Sequence, residues 1–201
     1  MDKRGERRTE MAKIVISEEV SLDGVLQDPT GEEGFRHGGW FNQIGDETRQ
    51  AWAEVKTKEA FTTSALLLGR KTDEWFGMRW SNRSGEWADR LNSLPKYVVS
   101  SKLVDPVWGN STVLKGDVVG EVTRLKRELD GELVVFASRP LVHSLLEHDL
   151  VDEVRLTVYP VVLGDGELLF GELCDQRPLR LLEARMLGDG LAQLYYERVR
   201  D

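Results

Sequence analysis

The chain has 201 residues and a formal net charge of −8, from 27 Lys+Arg against 35 Asp+Glu. That balance disfavours nucleic acid and anionic membranes as partners, and no apolar run approaches the roughly 20 residues that span a bilayer. With 40% apolar and 31% charged residues and a single cysteine, Cys174, the composition describes a soluble, cytoplasmic globular protein without an internal disulfide.

In chain order, residues 1–12 read as a mobile charged tail, MDKRGERRTEMA, without the apolar stretch of a secretory signal. The domain is expected over 13–199. KIVISEEV (13–20) reads as a strand that ends at Ser21-Leu22-Asp23-Gly24. Residues 27–39 form a Gly-rich polar loop, long enough to serve as a lid or binding loop. A helix follows near 45–61, with Ala51, Trp52 and Val55 on one face. Ala65-Leu66-Leu67-Leu68, Tyr97-Val98-Val99 and Leu133-Val134-Val135-Phe136 are short continuous apolar runs, as in strands buried on both faces of a parallel sheet. Between the last two, Val118, Val122, Leu125 and Leu129 recur at helical spacing, with Asp117 as the cap and Gly131 as the stop. A further helix begins near Pro140 and presents Leu141, Leu145 and Leu146. Val154, Leu156 and Val158 alternate with polar residues, and 179–187 and 191–199 flank Gly188-Asp189-Gly190 as a hairpin. The pattern is a single α/β domain with a mixed, mostly parallel sheet and a C-terminal antiparallel hairpin.

Several familiar sites are missing. There is no G-x-G-x-x-G after a strand, no complete P-loop and no G-x-S-x-G elbow. His143 and His148 are five apart and face different ways, so no metal site is expected, and Cys174 reads as an inert thiol. What stands out are four strand ends, where open α/β sheets bind ligands. They carry Ser21 to Gly24, Gly69-Arg70-Lys71-Thr72, Ser100-Ser101-Lys102 and Ala137-Ser138-Arg139-Pro140. Cationic pairs, hydroxyls and a helix N-terminus suit a phosphorylated ligand; solvated turns are the other reading.

These pieces resemble the dihydrofolate reductase-like superfamily, and within it proteins similar to the C-terminal reductase domain of riboflavin biosynthesis. The matching segments are Ser-Leu-Asp-Gly (21–24), Gly-Gly-Trp (38–40), Leu-Leu-Leu-Gly-Arg-Lys-Thr (66–72) and Lys-Tyr-Val-Val-Ser-Ser (96–101), with 145–153 and 159–170. The resemblance implies a three-layer fold that binds NADPH across its strand ends. It places Gly69, Arg70, Lys71, Thr72, Ser100, Ser101 and Lys102 at the adenosine 2′-phosphate, and Leu22, Asp23 and Gly24 beside the nicotinamide. Asp23 is the candidate catalytic residue, a polar helper near the reacting centre.

One departure concerns Ala137, Ser138 and Arg139, where the family usually has glycines against the cofactor pyrophosphate. Arg139 either meets phosphate with its charge or obstructs the site. Five of the six tryptophans lie between 40 and 87, and Trp40 and Trp75 are candidates to line a slot for a heteroaromatic substrate. Dihydrofolate reductases carry an acid in the first helix; Asp46, Glu47 and Glu54 lie nearby but read as surface carboxylates, which disfavours dihydrofolate. The activity implied is hydride transfer from NADPH to a small pterin- or pyrimidine-like heterocycle, in a homodimer. The rival is a non-catalytic nucleotide- or metabolite-binding protein on the same fold.

Overall fold

The structure is a computed structural model that describes residues 11–171, 173 and 175–200. Cys174 and residues 1–10 of the expected tail lie outside the described residues. Ala12 already belongs to the domain: it is buried, and its N–H donates to the carbonyls of Lys126 and Leu129.

Among the described residues, eight strands form one sheet: β1 (Lys13–Ser21), β2 (Thr63–Gly69), β3 (Lys96–Val99), β4 (Ser111–Leu114), β5 (Glu132–Val135), β6 (Glu153–Tyr159), β7 (Leu179–Leu187) and β8 (Leu191–Arg198). Their order is β4-β3-β2-β5-β1-β6-β8-β7. The first six run parallel, and β8 and β7 add antiparallel to β6. Among the described residues, five α-helices cover the faces: α1 (Asp46–Thr62), α2 (Arg70–Trp80), α3 (Glu86–Ser93), α4 (Val118–Glu128) and α5 (Arg139–Glu147).

Alternation along β1 divides the core. Ile14, Ile16 and Val20 pack with α4 and α5 through Val122, Leu125, Leu141, Val142 and Leu145. Val15 packs the other way, with Ala60 of α1, Leu91 of α3 and Phe76 of α2. Helices on both sides of the sheet make three layers, which is why the central strands are apolar throughout.

Two helices and a strand were not foreseen. α2 buries Thr72, Asp73 and Gly77 rather than an apolar stripe, so its period is invisible in the sequence. α3 has only eight residues and β4 only four. The 27–39 loop is built around buried Asp28, whose carboxylate accepts the N–H groups of Glu32, Glu33 and Phe35.

Candidate functional site

The sheet has a topological switch point between β5 and β1. From β1 the chain crosses over α1 to β2, and from β5 it crosses over α5 on the opposite face to β6. Such a point opens a crevice outside the carboxyl ends of the strands. The ladder shows the opening: β1 pairs with β5 only over Lys13–Ile16, and from Ser17 to Ser21 it pairs with β6 alone.

Beyond Val135 the chain turns sharply, with Ala137 at φ 46° and Ser138 at φ 57°. Two successive non-glycine residues in the left-handed region cost about 1–2 kcal/mol each. This backbone conformation is the one that glycines would relieve, which gives the family's usual composition a physical reason. The cost is offset by what Ser138 ties together. Its Oγ accepts the Gly69 N–H at 2.8 Å and lies 2.7 Å from the Thr72 hydroxyl. The starts of α2 and α5 therefore meet at one hydroxyl pair, and neither helix has a side-chain cap at its N-terminus.

Gly69 and Val99 are in register, so Arg70 and Ser100 leave neighbouring strand ends. The Ser100 Oγ accepts the N–H groups of Lys102 and Leu103 and shapes that turn, leaving Ser101 and Lys102 exposed. Lys71 is exposed, and Arg70 pairs with Glu74 at 2.6 Å. Arg139 donates its Nε to the Leu168 carbonyl at 2.9 Å, and His143 bonds the Leu169 carbonyl. The arginine thus fastens the 160–171 segment to α5. Among the described residues, no cluster of three His, Cys, Asp or Glu residues is arranged to hold a metal.

Leu22 projects 65% exposed at the end of β1, an apolar surface at the mouth of the crevice. Asp23 is occupied differently. Its carboxylate accepts the Ser21 hydroxyl at 2.6 Å, the Gly164 N–H at 2.8 Å and the Leu163 N–H at 3.2 Å. Hydrogen bonds from Ser21 and then Gly164 hold its pKa at about 2. At neutral pH it is an anion that clamps the 160–166 turn and has no proton to give. Because its folded pKa lies below the unfolded one, its contribution is full above the ordinary carboxylate pKa and is lost as pH falls through about 2. Asp23→Asn should cost about 1 kcal/mol at pH 7 in urea unfolding, the value being reduced because the site is open to solvent, and the deficit should vanish in strong acid.

On the α1 face lies a set of charges that strand-end reasoning missed. Lys56 of α1 points its three ammonium protons at the Ser17 hydroxyl (2.8 Å), Glu19 (2.9 Å) and Glu59 (3.4 Å). Glu59 reaches Arg155, which also holds Glu132 through two nitrogens and Glu153 through Nε. Burial pushes the Lys56 pKa down, but Glu19 and Glu59 outweigh it and the ammonium stays charged. Trp52 donates its indole N–H to Glu19. Around this polar floor stand Trp52, Trp87 and Trp80 in edge-to-face sequence, with Phe76 stacked on Phe136. Trp75 is half-buried with Arg79 over its ring, and the indole nitrogens of Trp75 and Trp80 are buried without a partner. Trp40 is fully buried, bonded to the Gln27 carbonyl and packed edge-on to Tyr159, so it exposes no surface to a slot. Asp46, Glu47 and Glu54 are exposed on α1, as read from the sequence.

The RibD C-terminal domain family matches residues 12–193. The chain belongs to that family. A RibD C-terminal domain also explains the relatives. The uncharacterized protein YwjB of Bacillus subtilis (strain 168) is 39% identical over 186 residues, spanning 92% of this chain and 98% of its own length. A putative riboflavin biosynthesis protein from Shewanella sp. PV-4 superposes with a TM-score of 0.68 at 24% identity, covering 94% of this chain and all of that one. Dihydrofolate reductase from Enterococcus faecalis, solved with NADP(H), superposes with a TM-score of 0.55 at 16% identity, covering 94% and 98%. The chain therefore has the dihydrofolate reductase-like fold anticipated from its motifs. No helix among the described residues is long and apolar enough to cross a membrane.

Proposed function

We propose that this RibD C-terminal domain is an NADPH-dependent reductase that passes hydride to a small pterin- or pyrimidine-like heterocycle. The observation that carries the reading is the convergence of two uncapped helix N-termini on the Gly69–Ser138–Thr72 cluster beside the β1–β5 crevice. The uncapped first turns and the half-buried Ser138 hydroxyl there fit a pyrophosphate, and Arg70, Lys71, Ser101 and Lys102 fit a 2′-phosphate on the next strand ends. The family and the reductases that share the fold point the same way.

When bound, NADPH supplies the hydride. The protein's residues position and shield it. Thr72, Ser138 and the starts of α2 and α5 hold the phosphates, Leu22 covers a ring at the strand end, and the Trp52–Phe136 wall excludes water from the reacting rings. Asp23 holds the 160–166 turn over the end of β1 and acts as a positioning residue. The proton that follows hydride transfer comes from water or from a neutral acid, since Asp23 is ionised.

NADPH should bind at least about tenfold more tightly than NADH, the difference one charge-assisted contact makes. Arg70 must leave Glu74 to reach a phosphate, but that exposed helical pair is worth only about 0.3–0.5 kcal/mol. Tryptophan fluorescence titration of wild type and Arg70→Ala tests the reading, with the preference narrowing in the variant. Equal affinities in wild type would overturn it. NADPH oxidation on adding pterin or pyrimidine candidates separates the reductase from a binding protein on the same fold.

The domain is further proposed to be a homodimer. β7 is an edge strand with Leu181, Leu182 and Met186 51%, 52% and 73% exposed, an edge that a lone chain leaves open. Light scattering at micromolar concentration should give the mass of two chains; the mass of one rejects the dimer.

A further inference from the structure

Glu18 sits at the crevice, outside the Lys56 network and the Ser138–Thr72 cluster. It lies on the stretch of β1 that β5 leaves unpaired, two residues past the last β1–β5 pair. Alternation with Ile16 and Val20 turns its side chain to the α5 face, away from Lys56 and its partners. It is only 4% exposed, and its Oε1 is buried without a hydrogen-bond partner. The Ala137 backbone N–H lies near enough to act on its carboxyl, one residue before the Ser138 hydroxyl that joins α2 and α5. A buried carboxyl with one orphaned oxygen, placed next to the phosphate cluster, is incomplete without a ligand.

We propose that Glu18 is the seat for a primary carboxamide on a flat ring, the nicotinamide of the cofactor, and donates a hydrogen bond to the amide carbonyl oxygen. This rests on the cofactor reading above. A ligand whose phosphates lie on Ser138 and Thr72 has its next ring directed into the gap that Ala137 and Glu18 border. The protonation state agrees: burial, then the neighbouring Glu19, pushes the Glu18 pKa well up, so the group is a neutral O–H donor. The other charges acting on it are Lys56, which lowers it, and Glu59, which raises it, both from α1. From α5, Arg139 and His143 are turned to the carbonyls of Leu168 and Leu169. A neutral amide carbonyl offers the acceptor that a buried, protonated acid lacks.

The test compares NADPH with 2′,5′-ADP, which carries the adenosine 2′-phosphate but no nicotinamide, on wild type, Glu18→Gln and Glu18→Leu, with thermal melts as the fold control. Glu18→Leu should bind NADPH about tenfold or more weakly and 2′,5′-ADP unchanged, and Glu18→Gln, still a donor, should restore NADPH binding. Wild-type affinity for NADPH, relative to 2′,5′-ADP, should fall as pH rises and Glu18 ionises, while Glu18→Gln stays flat. Equal loss for both ligands in Glu18→Leu, or no loss for either, overturns the proposal and leaves the cofactor reading standing. Failure of wild type to bind either ligand overturns both.

Discussion

Lys56→Met should destabilise the protein by about 3–5 kcal/mol at pH 7, the cost of breaking a buried charge network from one side. The methionine keeps the length of the side chain but leaves Glu19 and Glu59 facing each other. Glu19 loses its cation, Glu59 loses one of its two, and the Ser17 hydroxyl loses a donor. Arg155 still holds Glu59, so the loss falls hardest on Glu19. In wild type, burial alone would raise the Glu59 pKa, and Lys56 with Arg155 reverses that to a net lowering. Without Lys56, one of the two cations that hold the Glu59 pKa down is gone and burial pushes it back up. The deficit should therefore shrink as pH falls and Glu59 becomes neutral, and grow as pH rises. Urea unfolding at pH 5 and pH 8 checks the sign. A loss below about 1 kcal/mol at pH 7 would show that the network is solvated like an exposed pair.

The same network shows where reading the residues in order falls short. The apolar runs of β2, β3 and β5 are visible because strands covered on both faces need no polar positions. The strand-end motifs are visible because turns concentrate Gly, Ser, Asp and Arg. Ser17, Glu18 and Glu19 interrupt an apolar strand, and polar residues inside a strand ordinarily mark its wet face. Here Ser17 and Glu19 go to the α1 side of the sheet and Glu18 to the other, and the partners of Ser17 on α1 are about 40 positions away. The available signal was two adjacent acids closely following the apolar run Ile14-Val15-Ile16, opposite a helix carrying Lys56 and Glu59 on the face of Trp52. For Arg139 the sequence left open a phosphate contact or an obstruction. Its bond to the Leu168 carbonyl depends on where the 160–171 segment folds back, which no local pattern encodes.

Gly77→Ala should also be severe, with a loss of at least about 2 kcal/mol, although alanine at an exposed helix position gains about 1 kcal/mol over glycine. Gly77 lies in the middle of α2, where the backbone of residues 107–108 crosses the helix. A Cβ at Gly77 would stand 2.7 Å from the Trp108 backbone nitrogen and 2.9 Å from the Val107 carbonyl carbon. Backbone on both sides cannot step aside as a flexible side chain would. The crossing is also fastened by Asp73, one turn earlier, which accepts the Val107 N–H at 2.8 Å and the Ser111 hydroxyl at 3.3 Å. Displacing α2 at Gly77 strains those bonds and moves the helix start, which carries Thr72 against Ser138. NADPH affinity should fall along with the melting temperature. Met78→Ala, at a 66% exposed position on the same helix, should leave both near wild type. A Gly77→Ala protein as stable as wild type would mean that α2 and the 107–108 backbone separate at little cost, and that the crossing does not fix the Thr72–Ser138 contact.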